Sequence, residues 1–217
     1  LPTFLFDFDG TLADSLSTIV DITNRLAPEF GYRPTPLQQV DALKGLSTRQ
    51  LIRYSGISVL KIPALLRRLR AELIDYSTHI APFQGIPEVV QHLHSQHHPL
   101  VIVTSNTPMV VNPFLATHSL DRCFVSVVGG GTLFGKGRLL AKCVARYGFV
   151  PEQTVYVGDE VRDIQAARFA GLRSVAVTWG FNSREALAMA KPDWLIDDPG
   201  DLAAIATTLF SPTNHGV

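Results

Sequence analysis

Cysteine is nearly missing from this chain. Cys123 and Cys143 are the only two in 217 residues, which rules out a disulfide framework. Their apolar neighbours read as core, and a reducing cytoplasm is the expected compartment. Excess charge is missing as well: Lys and Arg number 19, Asp and Glu number 19, and the formal net charge is zero. That balance gives no footing to a nucleic-acid or acidic-membrane partner. No apolar run approaches the roughly 20 residues that cross a bilayer. The first residues are strand-like and lack a basic lead-in, so no secretion signal is expected. Repeats and low-complexity segments are also lacking. What remains is 46% hydrophobic content, enough for a sizeable core. The length suits one large domain, or one domain with a smaller insertion.

Against this plain background one stretch stands out, FLFDFDGTLADS at residues 4–15. Phe4, Leu5 and Phe6 read as a strand buried on both faces. It runs straight into Asp7 and Asp9, two like charges one residue apart. Each resists desolvation and each repels the other, so something must offset the cost, and a cation is the usual candidate. Gly10 would let the backbone come close to a ligand, and Thr11 would add a donor. A strand-end Asp-Gly turn is the plainer reading of the same residues.

Residues 14–80 read as helices punctuated by Pro and Gly, with no convincing strand. LLRRLRAELIDYS carries Leu65, Leu66, Leu69, Leu73 and Ile74 at helical spacing, with Arg67, Arg68 and Arg70 as its solvated face. From residue 81 the rhythm changes. PLVIVTSN, CFVSVVGG, QTVYVGDE, RSVAVTWG and DWLIDD read as strands alternating with helices. The expected fold is therefore α/β, a Rossmann-like parallel sheet with helices on both faces and an inserted α-helical segment. Ligands in such sheets bind at the carboxyl ends of the strands. The first strand ends at Asp7, the second at Ser105 and Asn106, and a later one at Gly158 and Asp159. SPTNHGV reads as a loose tail.

Other candidates follow from the same logic. Asp7, Asp9 and Asp159 make a hard oxygen cluster suited to Mg²⁺. Asp163, four residues past Asp159, falls in the first turn of a helix, where it either caps the helix or ligates directly. Ser105 and Asn106 precede Pro108 at a helix start and either cap it or hold a phosphate oxygen. GGGTLFGKGR imitates a nucleotide-binding P-loop, but Gly137 stands where Ser or Thr should meet the metal. Its Lys136 is either a surface lysine or the ammonium that balances Asp7 and a phosphate. The histidines of HLHSQHHP read as a solvated helix end. Trp179 and Trp194 are expected to pack beside the sheet.

In that order DFDGTLADS, VTSN, the lysine of GK, and VGDEVRD resemble the haloacid dehalogenase-like hydrolase superfamily over nearly the whole chain. Within it the sequence is similar to the phosphoglycolate phosphatase-type group, whose small helical cap is inserted after the first motif. The resemblance implies a core of residues 1–13 and 81–211, a cap of 14–80, and a tail of 212–217. It implies a Mg²⁺-dependent phosphatase acting on a small phosphate ester, phosphoglycolate first, through an aspartyl-phosphate on Asp7. Asp9 would serve as acid and base. Asp7, the Asp9 carbonyl and Asp159 would hold the metal, with Asp163 supporting the metal site or orienting Lys136. Ser105, Asn106 and Lys136 would hold the phosphoryl oxygens. The presence of Asp9 favours phosphoryl transfer over dehalogenation. In ALKGLSTRQL, residues 42–51, Arg49 either meets a substrate carboxylate or sits on the cap surface. A β-phosphoglucomutase-like mutase and a non-catalytic phosphometabolite-binding module are the alternatives. Monomer and homodimer are both open. Cap hinges are expected near 13–16 and 79–83.

Overall fold

Phe4, Leu5 and Phe6 are wholly buried, and they form the central strand of the molecule. The structure is a computed structural model and describes residues 1–130 and 135–210. The expected tail and residues 131–134 of the glycine-rich stretch lie outside the described residues. The chain runs β1 (Thr3–Phe6), α1 (Leu16–Phe30), α2 (Val40–Leu43), α3 (Thr48–Ser55), α4 (Ile62–Tyr76) and α5 (Ile86–Ser95). It continues through β2 (Leu100–Val103), α6 (Pro108–Thr117), β3 (Ser126–Val128), α7 (Lys136–Tyr147) and β4 (Thr154–Gly158). It closes with α8 (Val161–Phe169), β5 (Arg173–Val177), α9 (Arg184–Met189), β6 (Trp194–Ile196) and α10 (Asp201–Phe210).

The six strands form one sheet in the order β3-β2-β1-β4-β5-β6, and every pairing is parallel. Side chains alternate across it, as strand geometry requires. Phe4, Phe6, Leu100, Ile102, Val155 and Val157 join one core with α5, α6 and α10. Leu5, Val101, Val103 and Tyr156 face the other way, against Leu140 and Cys143 of α7 and Ala166 and Ala167 of α8. Both faces are covered, and this is why the strands read as unbroken apolar runs. The fold is the expected α/β, Rossmann-like one. Both cysteines are buried. Trp179 and Trp194 pack, partly buried, against the first core.

Residues 16–76 carry helices alone among the described elements. Local signals fix their ends. Gly31 closes α1 in the left-handed conformation, at φ 68°. Ser47 and Gln50 form a reciprocal capping box at the start of α3. Pro63 sits in the first turn of α4, where its missing N–H costs nothing. The two connections to the sheet pair with each other: Asp14 N donates to Ala81 O at 2.9 Å and Phe83 N to Leu12 O at 3.1 Å.

Two expectations need correction here. Arg67 and Arg68 are exposed on α4, but Arg70 is partly buried. The solvated face therefore holds for two of the three arginines. His92, His94 and His97 are exposed as expected, whereas His98 is buried and its Nδ1–H donates to Pro2 O at 3.0 Å. Past the end of α5 the chain turns inward to enter β2, and His98 goes with it.

Candidate active site

The strand order reverses at β1, which has β2 on one side and β4 on the other. Such a reversal opens a crevice at the carboxyl ends of the strands. Asp7 follows β1 directly and Asp159 follows β4 directly, so topology brings the two together. Asp163, from the first turn of α8, joins them. One oxygen from each of the three buried carboxylates lies within 4.8 Å of the others.

Lys136 ties this group together. Its Nζ donates to Asp7 Oδ2 at 2.6 Å and to Asp163 Oδ1 at 2.6 Å. Lys136 is buried at the first position of α7. Burial works against its charge, but Asp163 and Asp7 outweigh that and hold its pKa above the usual lysine value. Asp7 Oδ1 accepts from Phe8 N at 2.8 Å. Burial lifts the Asp7 pKa to about 6, with Lys136 pulling the other way. Asp163 also caps its own helix, since its Oδ2 accepts from Glu160 N at 3.0 Å. The two readings left open for its side chain are thus compatible: one oxygen caps and the other faces the cluster.

Asp159 is fully buried. Its Oδ1 accepts from Thr11 Oγ1 at 2.8 Å and its Oδ2 from Phe181 N at 2.7 Å. Burial first, then the charges of Glu160, Asp163 and Asp7, raise its pKa well above the carboxylate range. Gly10 has φ +78°, and a Cβ there would stand 2.2 Å from Asp159 Oδ2. A Cβ on Gly180 would stand 2.4 Å from Asp159 Cβ. The close approach read into Gly10 is therefore made by the Asp159 carboxylate, and the Thr11 hydroxyl serves that carboxylate too.

Asp9 sits apart from this cluster. Its Oδ1 accepts from Ser15 Oγ at 2.9 Å and its Oδ2 from Asn106 Nδ2 at 3.0 Å. Burial raises its pKa, and those two hydrogen bonds restrain the rise. Among the described residues the close carboxylate trio is Asp7, Asp159 and Asp163, in place of the Asp7, Asp9 and Asp159 read from sequence. Asn106 is buried, and its Oδ1 accepts from Thr107 N at 2.9 Å, which aims its amide at Asp9. Ser105 lies beside it, partly buried, in the turn after β2. Arg49 is exposed on α3.

Sequence reasoning missed several residues here. Ser15 orients Asp9. Glu160 is buried and accepts from Arg162 Nε at 2.9 Å and also from Arg162 Nη2. Residues 179–182 wall the crevice: Trp179 Nε1 donates to Thr11 O at 3.1 Å, and Asn182 Oδ1 accepts from Val161 N at 2.9 Å. Asn182 Nδ2 reaches across to Lys44 O at 3.0 Å and Leu46 O at 3.3 Å, tying the helical segment to the sheet. The strand-end rule applied to RSVAVTWG would have pointed at these residues. A cavity of about 310 Å³ opens between α1, α3, α4 and this wall, and aliphatic side chains such as Ile19, Val20, Leu51 and Ile52 line it.

Four carboxylates, Asp7, Asp159, Glu160 and Asp163, thus gather about two cations, Lys136 and Arg162. Hard oxygen donors with surplus negative charge suit a divalent cation such as Mg²⁺, and Asp7, Asp159 and Asp163 form a group that could hold one.

Comparison with known proteins agrees with this chemistry. The profile of the haloacid dehalogenase-like hydrolases matches residues 4–177. A phosphoglycolate phosphatase of Synechococcus elongatus is 41% identical over 210 residues, covering 97% of this chain and 99% of that protein. One from Xylella fastidiosa is 33% identical, covering 91% and 89%. Among solved structures, a haloacid dehalogenase-like hydrolase of Streptococcus pneumoniae superposes with TM-score 0.77 at 22% identity, covering 94% of this chain and 98% of its own. At that identity the likeness concerns the fold.

Proposed function

The chain belongs to the haloacid dehalogenase-like hydrolase family and is a phosphoric monoester hydrolase, and from that premise we propose a Mg²⁺-dependent phosphatase that works through Asp7. The observation that carries the mechanism is the buried contact of Lys136 with both Asp7 and Asp163. A carboxylate attacks a phosphate dianion only if cations mask the repulsion. Lys136 is one such cation. Mg²⁺ would be held by Asp7, the Asp9 carbonyl and Asp159, with Asp163 supporting the metal site, and would supply the rest of the charge neutralisation when bound.

In the first step an Asp7 oxygen forms a bond to phosphorus as the ester P–O bond breaks. The leaving oxygen takes a proton from Asp9, whose burial favours its protonated form. Asp7 then carries the phosphoryl group as an aspartyl-phosphate. In the second step Asp9 takes a proton from water as that water attacks phosphorus, which releases inorganic phosphate and regenerates Asp7. Ser15 and Asn106 keep the Asp9 carboxylate in place through both steps. Ser105, Asn106 and Lys136 hold the transferring oxygens. Residues 14–80 act as a cap over the crevice, with hinges near 13–16 and 79–83, close to where the two connections pair.

Phosphoglycolate is the first substrate proposed, because the Synechococcus elongatus relative that matches along nearly its full length is a phosphoglycolate phosphatase. The buried free thiols suit a cytoplasmic protein. The test is phosphate release across a panel of small phosphate esters, with Mg²⁺ and with chelator, beside Asp7→Asn. Metal-dependent release that Asp7→Asn abolishes supports the reading. Isomerisation of a sugar phosphate that needs a bisphosphate activator, without phosphate release, refutes it in favour of a mutase.

A further inference from the structure

Between the helical segment and the wall of the crevice lies the cavity of about 310 Å³. Its sides are chiefly aliphatic, with Ile19 and Val20 from α1, Leu51 and Ile52 from α3, and Leu65 and Leu66 from α4. Asp7, Asp9, Asn106 and Lys136 do not line it. It is a compartment beside the phosphoryl site, and the mechanism above makes no use of it.

The polar side chains on its walls direct their hydrogen bonds to the protein. Thr23 Oγ1 donates to Ile19 O at 2.8 Å, and Tyr32 OH donates to Thr23 O. Tyr54 OH donates to Gln39 Oε1 at 2.6 Å, and Ser55 Oγ to Ile52 O at 2.9 Å. Both ends of the Asn182 amide are taken, by Val161 N on one side and by Lys44 O and Leu46 O on the other. The charged groups are paired as well: Glu160 with Arg162, and Lys44 Nζ with Asp41 Oδ1 at 3.5 Å. Asp41 is exposed, which draws the Lys44 ammonium toward solvent. A carboxylate, phosphate or sugar entering this space leaves water for walls that offer few partners, so its desolvation goes uncompensated. An apolar molecule gains by leaving water and makes dispersion contacts with the facing walls.

We propose that this cavity is an effector site for a small uncharged apolar molecule, aliphatic or aromatic, whose binding holds the helical segment on the sheet. Size limits the ligand: an apolar cavity of about 150 Å³ takes one benzene ring, so this one admits a molecule of up to about ten carbons. Placement sets the effect. Phe181 and Asn182, which follow β5, supply part of a wall otherwise made by the helical segment. Asn182 Nδ2 and Ser183 N both donate to Lys44 O, at 3.0 Å and 2.9 Å. The wall is complete only while that contact holds. A ligand that fills the cavity therefore binds the seated arrangement more tightly and shifts the population toward it. The kinetic consequence rests on the phosphatase and cap reading. Product leaves once the cap lifts, so an occupant that keeps it seated lowers kcat and KM together.

The experiment titrates the full chain with toluene and, as its charged near-isostere, benzoate, reading amide chemical shifts and amide exchange by NMR. Toluene is expected to saturate with a Kd of roughly 0.1–1 mM and to shift amides of α1, α3 and residues 181–182. At ten times Kd it should slow exchange across residues 40–47 by up to about tenfold and leave the sheet strands unchanged. Benzoate should do neither. Leu51→Phe and Val20→Phe fill the space, and each should weaken toluene binding by about tenfold or more. If neither variant folds, the wild-type shift map decides. Absence of saturable shifts, shifts confined to other regions, or equal binding of benzoate overturns the site. With toluene saturating and Mg²⁺ present, kcat and KM for the best ester of the panel should fall together by about twofold or more. Unchanged constants, or a rise in KM alone, overturn the effector role and leave the phosphatase reading standing. A wild type that hydrolyses no ester removes the phosphatase reading and the kinetic consequence with it, while the shift and exchange maps still decide the site.

Discussion

Lys136 stands 129 residues from Asp7 in sequence and places its Nζ 2.6 Å from Asp7 Oδ2. Both residues are almost wholly buried. Replacing Lys136 with Met leaves buried carboxylates short of a cation. The expected cost is about 3 kcal/mol of stability in the metal-free protein, read from urea unfolding. Phosphate release should fall by roughly 100- to 1,000-fold, the scale for losing one charge-stabilising donor. An unfolding midpoint unchanged from wild type would show that the ion pair does not hold the site together.

The Asp7 pKa makes stability depend on pH in a particular direction. Its folded value is raised from 3.8 to about 6. A raised carboxylate pKa means that the fold binds the proton more tightly than the unfolded chain does. Its stabilising effect is complete below 3.8 and is lost as pH rises through about 6. Asp7→Asn removes that titration. Without metal, the melting temperature of Asp7→Asn relative to wild type should therefore climb by several degrees between about pH 4 and pH 7. Added Mg²⁺ should stabilise wild type more than the variant and shrink the gap. A difference that is flat with pH would refute the burial of an ionisable Asp7.

Gly10 and Gly56 allow backbone strain to be separated from crowding. Both have positive φ, +78° and +73°, but a Cβ on Gly10 meets Asp159 at 2.2 Å while one on Gly56 meets nothing within 4 Å. Gly56→Ala should cost about 1 kcal/mol from strain. Gly10→Ala should cost about 2 kcal/mol more, from overpacking, and should weaken Mg²⁺ binding measured by calorimetry. Equal costs would mean that Asp159 yields freely.

Asn182 holds the helical segment down through Lys44 O at 3.0 Å and Leu46 O at 3.3 Å. Asn182→Ala removes both bonds and leaves Val161 N without its acceptor. Amide exchange across residues 40–47 should speed up by roughly tenfold, in line with about 1–2 kcal/mol lost. Exchange over the sheet strands should not change. Uniform acceleration through the whole chain would indicate general destabilisation in place of local release.

Much of the fold was legible because its signals are local. Apolar runs such as VYVG and VAV, separated by helical periodicity, specify a parallel sheet. Glycines and prolines mark where helices stop. Asp7 and Asp159 could be selected because each follows a strand at the expected end of the sheet, and Lys136 because it stands in a glycine-rich stretch that matches the family pattern. Their assembly could not be read in detail, and Asp9 shows why: two residues after Asp7, it faces Ser15 and Asn106 and stands apart from the cluster. The chain leaves strand geometry after Phe6, and alternation ceases to predict direction.

By itself the sequence determined the strands, the helices between them, and the presence of carboxylates, a lysine and a hydroxyl at strand ends, because hydrophobic period and turn chemistry act within a few residues. Only the tertiary structure decided which carboxylates share one site, that Asp159 is clasped between Gly10 and Gly180, and that Arg70 and not Arg49 is the partly buried arginine of the helical segment. Those outcomes depend on strand order and on helix rotation against distant neighbours. Burial and charge act through space, and the residues that feel them are far apart along the chain.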